Sequence, residues 1–468
     1  MTNRAIARLS FLFVLLFLAL AARQFYVQLV EGPSIAAKPY NPRHALLDAG
    51  RGRILATDGT VLAQTVGNKR VYALGPALAQ TLGYVSARYG TSGLENAYDR
   101  ALSSTGSTGD PVAQFQEILD AVQGKPARTG GADVVTTIVP AIQRKLYDLL
   151  SQHARDAGVV LDPRTGAVLA IGSMPTFDPN HLNAIFPQLT ADTSSPLLDR
   201  AIDGLYPPGS TFKMFTAGAA LDSGTVTPQT RFEDPGYLYI GNFKLHNDES
   251  EATGYADVTT AFALSSNVDF AQITLKMGLD TFYEYLSKWG IGDSLDFQLP
   301  AQRDRVPPKD SVVPGELAQM GFGQGALLMT PLQMALIAST IANGGNEPRP
   351  YIVRQIVRNG TVASVYSTGT LASPISADTA AEVKKMMIAV VQRGTGTSAA
   401  LPGVTVAGKT GTATNPSGRA HSWFVCFAPA DHPRVAVAII VENGGYGAAV
   451  AAPIAREVLR TALGSMKT

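Results

Sequence analysis

One cysteine, Cys426, stands in 468 residues, so no intrachain disulfide can form and every folded domain must be held by its core alone. The length permits this: it suits two or three domains by a soft prior of ~100–200 residues each. Cys426 itself lies in the apolar run Trp423-Phe424-Val425-Cys426-Phe427, which suits a buried, inert thiol rather than a nucleophile. Charge is also scarce. Only 16% of residues are charged and the formal net charge is +1, which removes any electrostatic reason to expect a nucleic-acid partner. The six histidines form no zinc-ligand spacing, and no glycine-rich nucleotide-binding loop is present, so neither a metal nor a cofactor is expected. There is no internal repeat and no long low-complexity tract.

What the chain does have begins with one long apolar run. Leu9 to Ala22 is broken by a single hydroxyl, Ser10, follows Arg4 and Arg8, and resumes after Arg23-Gln24 with Phe25, Tyr26, Val27, Leu29 and Val30. The resumed run would extend a helix to roughly 20 residues, enough for a membrane span. Residues 1–30 are therefore expected to be a cytoplasmic tip and a single-pass transmembrane anchor. A cleaved signal peptide is the competing reading, for which Ala19-Leu20-Ala21 has the small-x-small form. Basic residues before the run keep the N-terminus inside and send the rest outward.

Residues 31–132 read as a small, β-containing, non-catalytic domain. A Pro- and Ala-containing stretch runs to about Asp48, and Asp58-Gly59 between two apolar runs signals a hairpin. Ser103 to Pro111 and Gly124 to Gly131 have loop composition, with a short helix expected between them. A second domain, 133–468, opens with an amphipathic helix from Pro140 to Leu150. Gly158 to Leu161 and Ala167 to Ile171, turned by Asp162-Pro163-Arg164-Thr165-Gly166, form one apolar hairpin; Ser422 to Ala428 and Val435 to Val441 form another. Strands at both ends with helix-rich sequence between them predict an α+β domain, its central antiparallel sheet assembled from distant segments and flanked by helices.

Three short strings carry chemistry. Tyr206-Pro207-Pro208-Gly209 delivers the chain into a helix expected from Ser210 to Leu221, which places Ser210 and Lys213 three residues apart on one face. A serine hydroxyl is a weak nucleophile until a base takes its proton, and a lysine can be that base once burial lowers its pKa. The helix start adds free amides that favour an oxyanion. Ser265-Ser266-Asn267 follows a helix over Thr259 to Leu264 and offers a relay hydroxyl, Ser265, and a carboxamide, Asn267. Lys409-Thr410-Gly411-Thr412 follows a strand expected over Val404 to Ala407, where Gly411 would let a ligand backbone approach and pair in β fashion. Each string has an ordinary reading as a cap, a turn or a strand end, and roughly one S-x-x-K is expected by chance. Their force is joint: 55 residues separate Ser210 from Ser265 and 144 separate Ser265 from Lys409, with each string on the element its task needs.

The set, in this order, resembles the serine acyl-enzymes that recognise penicillin. Nearly the whole chain resembles the class B, monofunctional penicillin-binding proteins. Arg51-Gly52-Arg53-Ile54 with Asp58-Gly59 resembles their opening signature, and Gly323-Gln324-Gly325, Thr330-Pro331-Leu332-Gln333 and Ile341-Ala342-Asn343-Gly344-Gly345 resemble further hallmarks. The short N-terminal domain is similar to that of the compact members of actinobacteria and other Gram-positive lineages. Asp199-Arg200-Ala201 and Val139 depart from the usual Asn-Arg-Ala and Asp.

The resemblance implies a DD-transpeptidase of the bacterial cell membrane, with an extracytoplasmic catalytic domain acylated by stem peptides ending in D-Ala-D-Ala and blocked by β-lactams. Ser210 would be the nucleophile, with Lys213, Ser265, Asn267 and Lys409 catalytic. Lys409, Thr410, Gly411 and Thr412 would bind the substrate, and the N–H groups of Ser210 and Thr412 would form the oxyanion hole, each donor worth about 3 kcal/mol. A DD-carboxypeptidase shares this acylation, and a β-lactam sensor would share the pocket. A β-lactamase would need a positioned base for water, and no residue stands out for that role. Glycan polymerisation is expected from another protein, a SEDS-type polymerase contacted through the anchor and N-terminal domain.

Overall fold

The computed structural model describes residues 2–26, 50–103, 130–248, 251–415 and 418–466. The expected stretch up to Asp48 and the loops and short helix expected within 104–129 lie outside them. Helix α1 runs Thr2–Tyr26, and its described apolar side chains from Phe11 to Leu20 are exposed. Among the described residues no helix is long and apolar enough to cross a membrane.

The Asp58-Gly59 turn forms as expected, with Gly59 at φ 84° and the Thr60 N–H donating to Asp58 Oδ1 at 2.9 Å. It joins β1 (Ile54–Leu55) to β2 (Val61–Val66), and β3 (Lys69–Tyr72) extends the sheet. On the other side β4 (Asp133–Thr136) pairs parallel to β1, and two strands from residues 353–365 complete a six-stranded sheet. The sheet therefore draws on both sides of residue 132. The Arg51-Gly52-Arg53 string explains how they are joined. Arg51 and Arg70 are both buried against the buried Glu95, at 2.7 and 2.6 Å, and Arg53 reaches Asp133 at 2.6 Å. A Cβ on Gly52 would lie 2.0 Å from the Ala132 carbonyl, so no other residue fits.

Helix α2 (Pro140–Leu150) buries Ile142, Leu146 and Leu150, four residues apart, against the hairpin of β5 (Asp156–Leu161) and β6 (Val168–Met174). Gly158 and Gly172 make room: a Cβ on Gly158 would stand 2.7 Å from Leu146. Among the helices that follow, four bear on the site: α3 (Lys213–Asp222), α4 (Val258–Leu264), α5 (Asn267–Met277) and α6 (Pro331–Ala342). After them β7 (Val353–Arg358) and β8 (Thr361–Val365) fill the two remaining places of the N-terminal sheet, and α7 spans Ala377–Arg393. The chain ends with β9 (Ala407–Ala413), β10 (His421–Ala428), β11 (Val435–Val441) and α8 (Ala451–Ser465).

The central sheet has the order β9-β10-β11-β5-β6, every pair antiparallel. Its faces divide with period two. Val437, Ile439 and Val441 pack with α2 and α8, whereas Ala436, Ala438 and Ile440 face the core that contains α6. One expectation is corrected. The strand begins at Ala407, not Val404, which only bridges to Leu401, so Lys409-Thr410-Gly411-Thr412 lies within β9 rather than after it. The hydrogen-bond ladder to β10 continues until Ala413 meets His421.

The Arg51–Glu95–Arg70 cluster, which lies wholly within residues 50–103, yields a test of what holds that region. Glu95→Ala leaves two buried guanidinium groups without their shared carboxylate and is expected to lower unfolding free energy by about 3–5 kcal/mol. Denaturant titration checks this, and a loss within error of zero contradicts it.

Candidate active site

The turn before Ser210 is fixed from several sides. Gly209 takes φ 53° and donates its N–H to Gly323 O at 2.8 Å, Trp423 Nε1 donates to Pro207 O at 3.0 Å, and Tyr206 pairs with Met329. A Cβ on Gly323 would lie 2.1 Å from Gly209 O. The Gly323-Gln324-Gly325 string is therefore needed where it supports this turn, and the Thr330-Pro331 string starts α6 just beyond, with Thr330 as its N-cap.

Ser210 does not open an α-helix directly. Gly209–Phe212 is a 3₁₀ turn, and α3 begins at Lys213. In a 3₁₀ turn residues three apart are stacked on one another. Lys213 Nζ accordingly lies 3.0 Å from Ser210 Oγ. The lysine has no exposed surface. Its ammonium is surrounded by Ser265 O at 2.6 Å, Asn267 Oδ1 at 2.8 Å and Ser265 Oγ at 3.4 Å, with the rings of Phe270 and Phe322 at 5.4 and 6.0 Å. Burial pushes its pKa down to about 7, against the opposing pull of Asp248, Asp269 and Asp234.

Ser265 and Asn267 come from the turn between two helices. Ser265 closes α4 in the left-handed conformation, φ 66°, and Ser266 caps α5 by accepting the Asp269 N–H. Lys409, also fully buried, reaches the same turn from β9 and donates to Ser265 Oγ at 2.8 Å. Burial, then the neighbouring Lys213, holds Lys409 well below the ordinary lysine value. The Ser265 hydroxyl thus bridges two buried amines.

The strand places Thr410 and Thr412 beside Ser210 along a cavity of about 410 Å³, with Ser265 on its wall. The lysines lie beneath this cavity, not in its lining. Gly411 has a different use from the one expected: a Cβ there would meet Thr211 and Trp423 at 2.9 Å, so the approach it permits is that of the protein's own serine turn. Sequence reasoning missed Thr395, whose Oγ1 is 2.5 Å from Thr410 Oγ1, and the loop Tyr446-Gly447-Ala448. The glycines around Glu442 to Gly447 were a legible loop signal. Nothing local marked Asn247, Asp248 or Thr253 as lining residues. A larger hollow of about 530 Å³, lined by Asp222, Lys288 and Ser376, contains none of these side chains. Among the described residues no His, Cys, Asp and Glu cluster suits a metal ion.

The remaining singled-out residues are structural. His421, at the end of β10, packs edge-on against Tyr206 and accepts the Asn443 N–H, while Cys426 is buried with its pKa raised by desolvation. Asp199 accepts from Thr81 and the Ala201 N–H, and Arg200 pairs with Glu442 at 3.0 Å. Val139 precedes α2 and ties it to β6 through Leu169 O.

A serine and lysine at a helix start, facing a lysine-threonine-glycine edge strand across a Ser-x-Asn turn, is the arrangement of the penicillin-recognising acyl-enzymes. Comparison agrees. Residues 157–460 match the family described as the penicillin-binding protein transpeptidase domain, and residues 51–134 match the penicillin-binding protein A dimerisation domain. The chain therefore belongs to the penicillin-binding proteins, in their class B, penicillin-binding protein A type. It is 34% identical to the peptidoglycan D,D-transpeptidase PbpA of Mycolicibacterium smegmatis, over 98% of this chain and 99% of that protein. It is 31% identical to the peptidoglycan D,D-transpeptidase MrdA of Haemophilus influenzae, over 93% and 71%. Among solved structures, the penicillin G acyl-enzyme complex of penicillin-binding protein A from M. tuberculosis matches with TM-score 0.80 and 32% identity, covering 89% of this chain and all of that one. A D,D-transpeptidase domain from Eggerthella lenta matches with TM-score 0.81 and 35% identity, covering 90% and 99%.

The depressed pKa of Lys213 has a measurable sign. The folded amine sits below its unfolded value, so between about pH 7 and 10 the unfolded chain binds the extra proton and stability rises with pH. Lys409 contributes in the same sense. Urea midpoints of the wild type should therefore climb from pH 7 to 9 more steeply than those of Lys213→Met. Equal slopes would show that the folded Lys213 keeps its proton.

Proposed function

We propose that this protein is a peptidoglycan DD-transpeptidase that works through an acyl-enzyme on Ser210 and is blocked by β-lactams. The observation that carries the reading is the 3.0 Å contact between Ser210 Oγ and a fully buried Lys213 whose pKa burial has brought to about 7. Near neutral pH the lysine is in good part neutral and can take the hydroxyl proton as Oγ attacks the carbonyl of the penultimate D-Ala. The developing oxyanion is received by the N–H groups of Ser210 and Thr412. Ser265, between the two amines, passes a proton to the departing D-Ala amine. The incoming amine of a second stem peptide then attacks the ester, its proton returns along the same path, and Ser210 is released.

The hydroxyls of Thr410 and Thr412, on the cavity wall, bind the terminal carboxylate, and Lys409 beneath them supplies the opposite charge. The site supplies the right imbalance for this: Lys409 is buried, depressed in pKa and lacks a carboxylate partner among its hydrogen bonds. An arriving carboxylate favours the charged Lys409, and that charge in turn favours a neutral Lys213. Substrate binding thus helps create the base. A β-lactam, which carries a carboxylate beside a strained amide, uses the same parts.

Membrane attachment is part of the proposal, with α1 as a single-pass anchor and the rest extracytoplasmic. It is supported by the exposed apolar run of α1 from Phe11 to Leu20 and by Arg4 and Arg8 before that run in the sequence. Residues 31–132 are assigned as the pedestal and 133–468 as the catalytic domain, sharing the sheet described above. A SEDS-type glycan polymerase meeting the anchor and pedestal is the proposed partner, on family resemblance.

Two measurements test the chemistry. Intact-mass analysis after incubation with a fluorescent penicillin should show one adduct, absent in Ser210→Ala; an adduct that survives the substitution removes Ser210 as nucleophile. With a thioester donor and excess D-amino acid, exchange product should exceed hydrolysis product. Hydrolysis alone would indicate a carboxypeptidase.

A further inference from the structure

Asp234 belongs to none of the three strings and does not line the cavity, yet it is fully buried and collects hydrogen bonds from three other stretches of chain besides its own turn. Its Oδ1 accepts the Gly236 N–H at 2.7 Å. Its Oδ2 accepts from Asn247 Nδ2 at 2.7 Å, Ser266 Oγ at 2.8 Å and Thr253 Oγ1 at 2.8 Å, with the Thr253 N–H at 3.4 Å. Burial alone would raise this carboxyl, but these donors outweigh it and hold the pKa below the usual range.

The charge dictates which way its partners face. Ser266 gives its proton to Asp234, so its lone pairs are left for the Asp269 N–H at 2.9 Å. Asn247 gives its amide hydrogen to Asp234, so its Oδ1 is aimed at the Asn267 and Val268 N–H groups, at 2.7 and 3.0 Å. Those three N–H groups open α5, where the helix cannot satisfy them itself. The turn held in this way keeps Ser265 at φ 66°, a conformation that serine does not favour, and from it Ser265 and Asn267 reach both lysines.

We propose that Asp234 is a positioning residue for acylation: its carboxylate orients Ser266 and Asn247, which lock the Ser265–Asn267 turn in the conformation that aims it at Lys213 and Lys409. The proposal rests on the acyl-enzyme reading above. It separates into two effects, orientation through Asn247 and the charge itself. The ionisable groups facing Lys213 are Asp234, Asp248, Asp269 and the opposing Lys409, and the charge of Asp234 raises the Lys213 pKa. Removing that charge must move the base to lower pH.

The test uses the full chain and stopped-flow acylation by a fluorescent penicillin from pH 5.5 to 9, giving the limiting rate and the non-covalent dissociation constant, with melting temperatures alongside. Asn247→Ala should lower the limiting rate about 10-fold or more while the dissociation constant changes less than about 3-fold and the pH limb stays in place. Asp234→Asn should lower the rate and shift the ascending limb towards acid. Asp257→Ala serves as control: it removes the N-cap of α4, where Asp257 accepts the Thr260 N–H at 2.8 Å, and should lower the melting temperature without either kinetic effect. Wild-type limiting rates and an unmoved limb in both variants overturn the proposal, as do losses that follow melting temperature in the manner of the control. If Asp234→Asn does not fold, Asn247→Ala decides alone, and a wild-type rate there overturns the proposal. A wild-type protein that never acylates would overturn the acyl-enzyme reading first, a failure seen before any variant is compared.

Discussion

The chemistry proposed for this molecule depends on keeping one amine out of water. A lysine in solvent is protonated at neutral pH and useless as a base, so in the proposed reaction Lys213 has to be desolvated before Ser210 can act as the nucleophile. The surrounding architecture answers that need. The helix carrying Lys213 is buried over its first eight residues, aromatic rings stand on two sides of the ammonium, and a second buried amine adds like charge nearby. Three carboxylates pull the other way, which leaves the base poised rather than permanently neutral. A poised base can respond to what enters the cavity.

The same demand explains why the site is gathered from remote stretches of chain. A single segment cannot bury its own lysine and also leave its serine open to a ligand. Here the serine turn is pressed against β9 through Gly411, supported from below by Gly323, and closed on a third side by the turn between α4 and α5. Several strings that look like decoration along the sequence meet beneath that serine turn. Glycine is required at 323 and 411 because a backbone or side chain of another segment occupies the space a Cβ would take.

Much of this was legible in the sequence where the signal was local. The turns at Asp58-Gly59 and Asp162 to Gly166, the amphipathic spacing from Pro140 to Leu150 and the strands 422–428 and 435–441, apolar except for Ser422, each produce the expected element, because period and turn chemistry act within a few residues. The start of β9 was misplaced because Val404-Thr405-Val406 has strand composition, while a buried lysine within a strand contradicts propensity. The 3₁₀ turn at Ser210 was read as α-helix for a similar reason: the two differ by hydrogen bonds, not by residue type. Asp234, Asn247 and Thr253 carried no signal at all. They are separated by irregular spacing, and their meaning appears only when folding brings them around Ser266.

Strand β9 is the edge of the central sheet, with one side hydrogen-bonded to β10 and the other turned towards the cavity. An unpaired edge is ordinarily a hazard, since any extended chain, including another copy of the protein, can add to it and begin aggregation. Here the serine turn crosses at Gly411, and the backbone of Gly447 lies against Gly411. Only a short length of edge is left accessible, enough for the end of one peptide and too little for the strand of a neighbour. The features that confine the ligand are thus also those that keep identical molecules from sticking together.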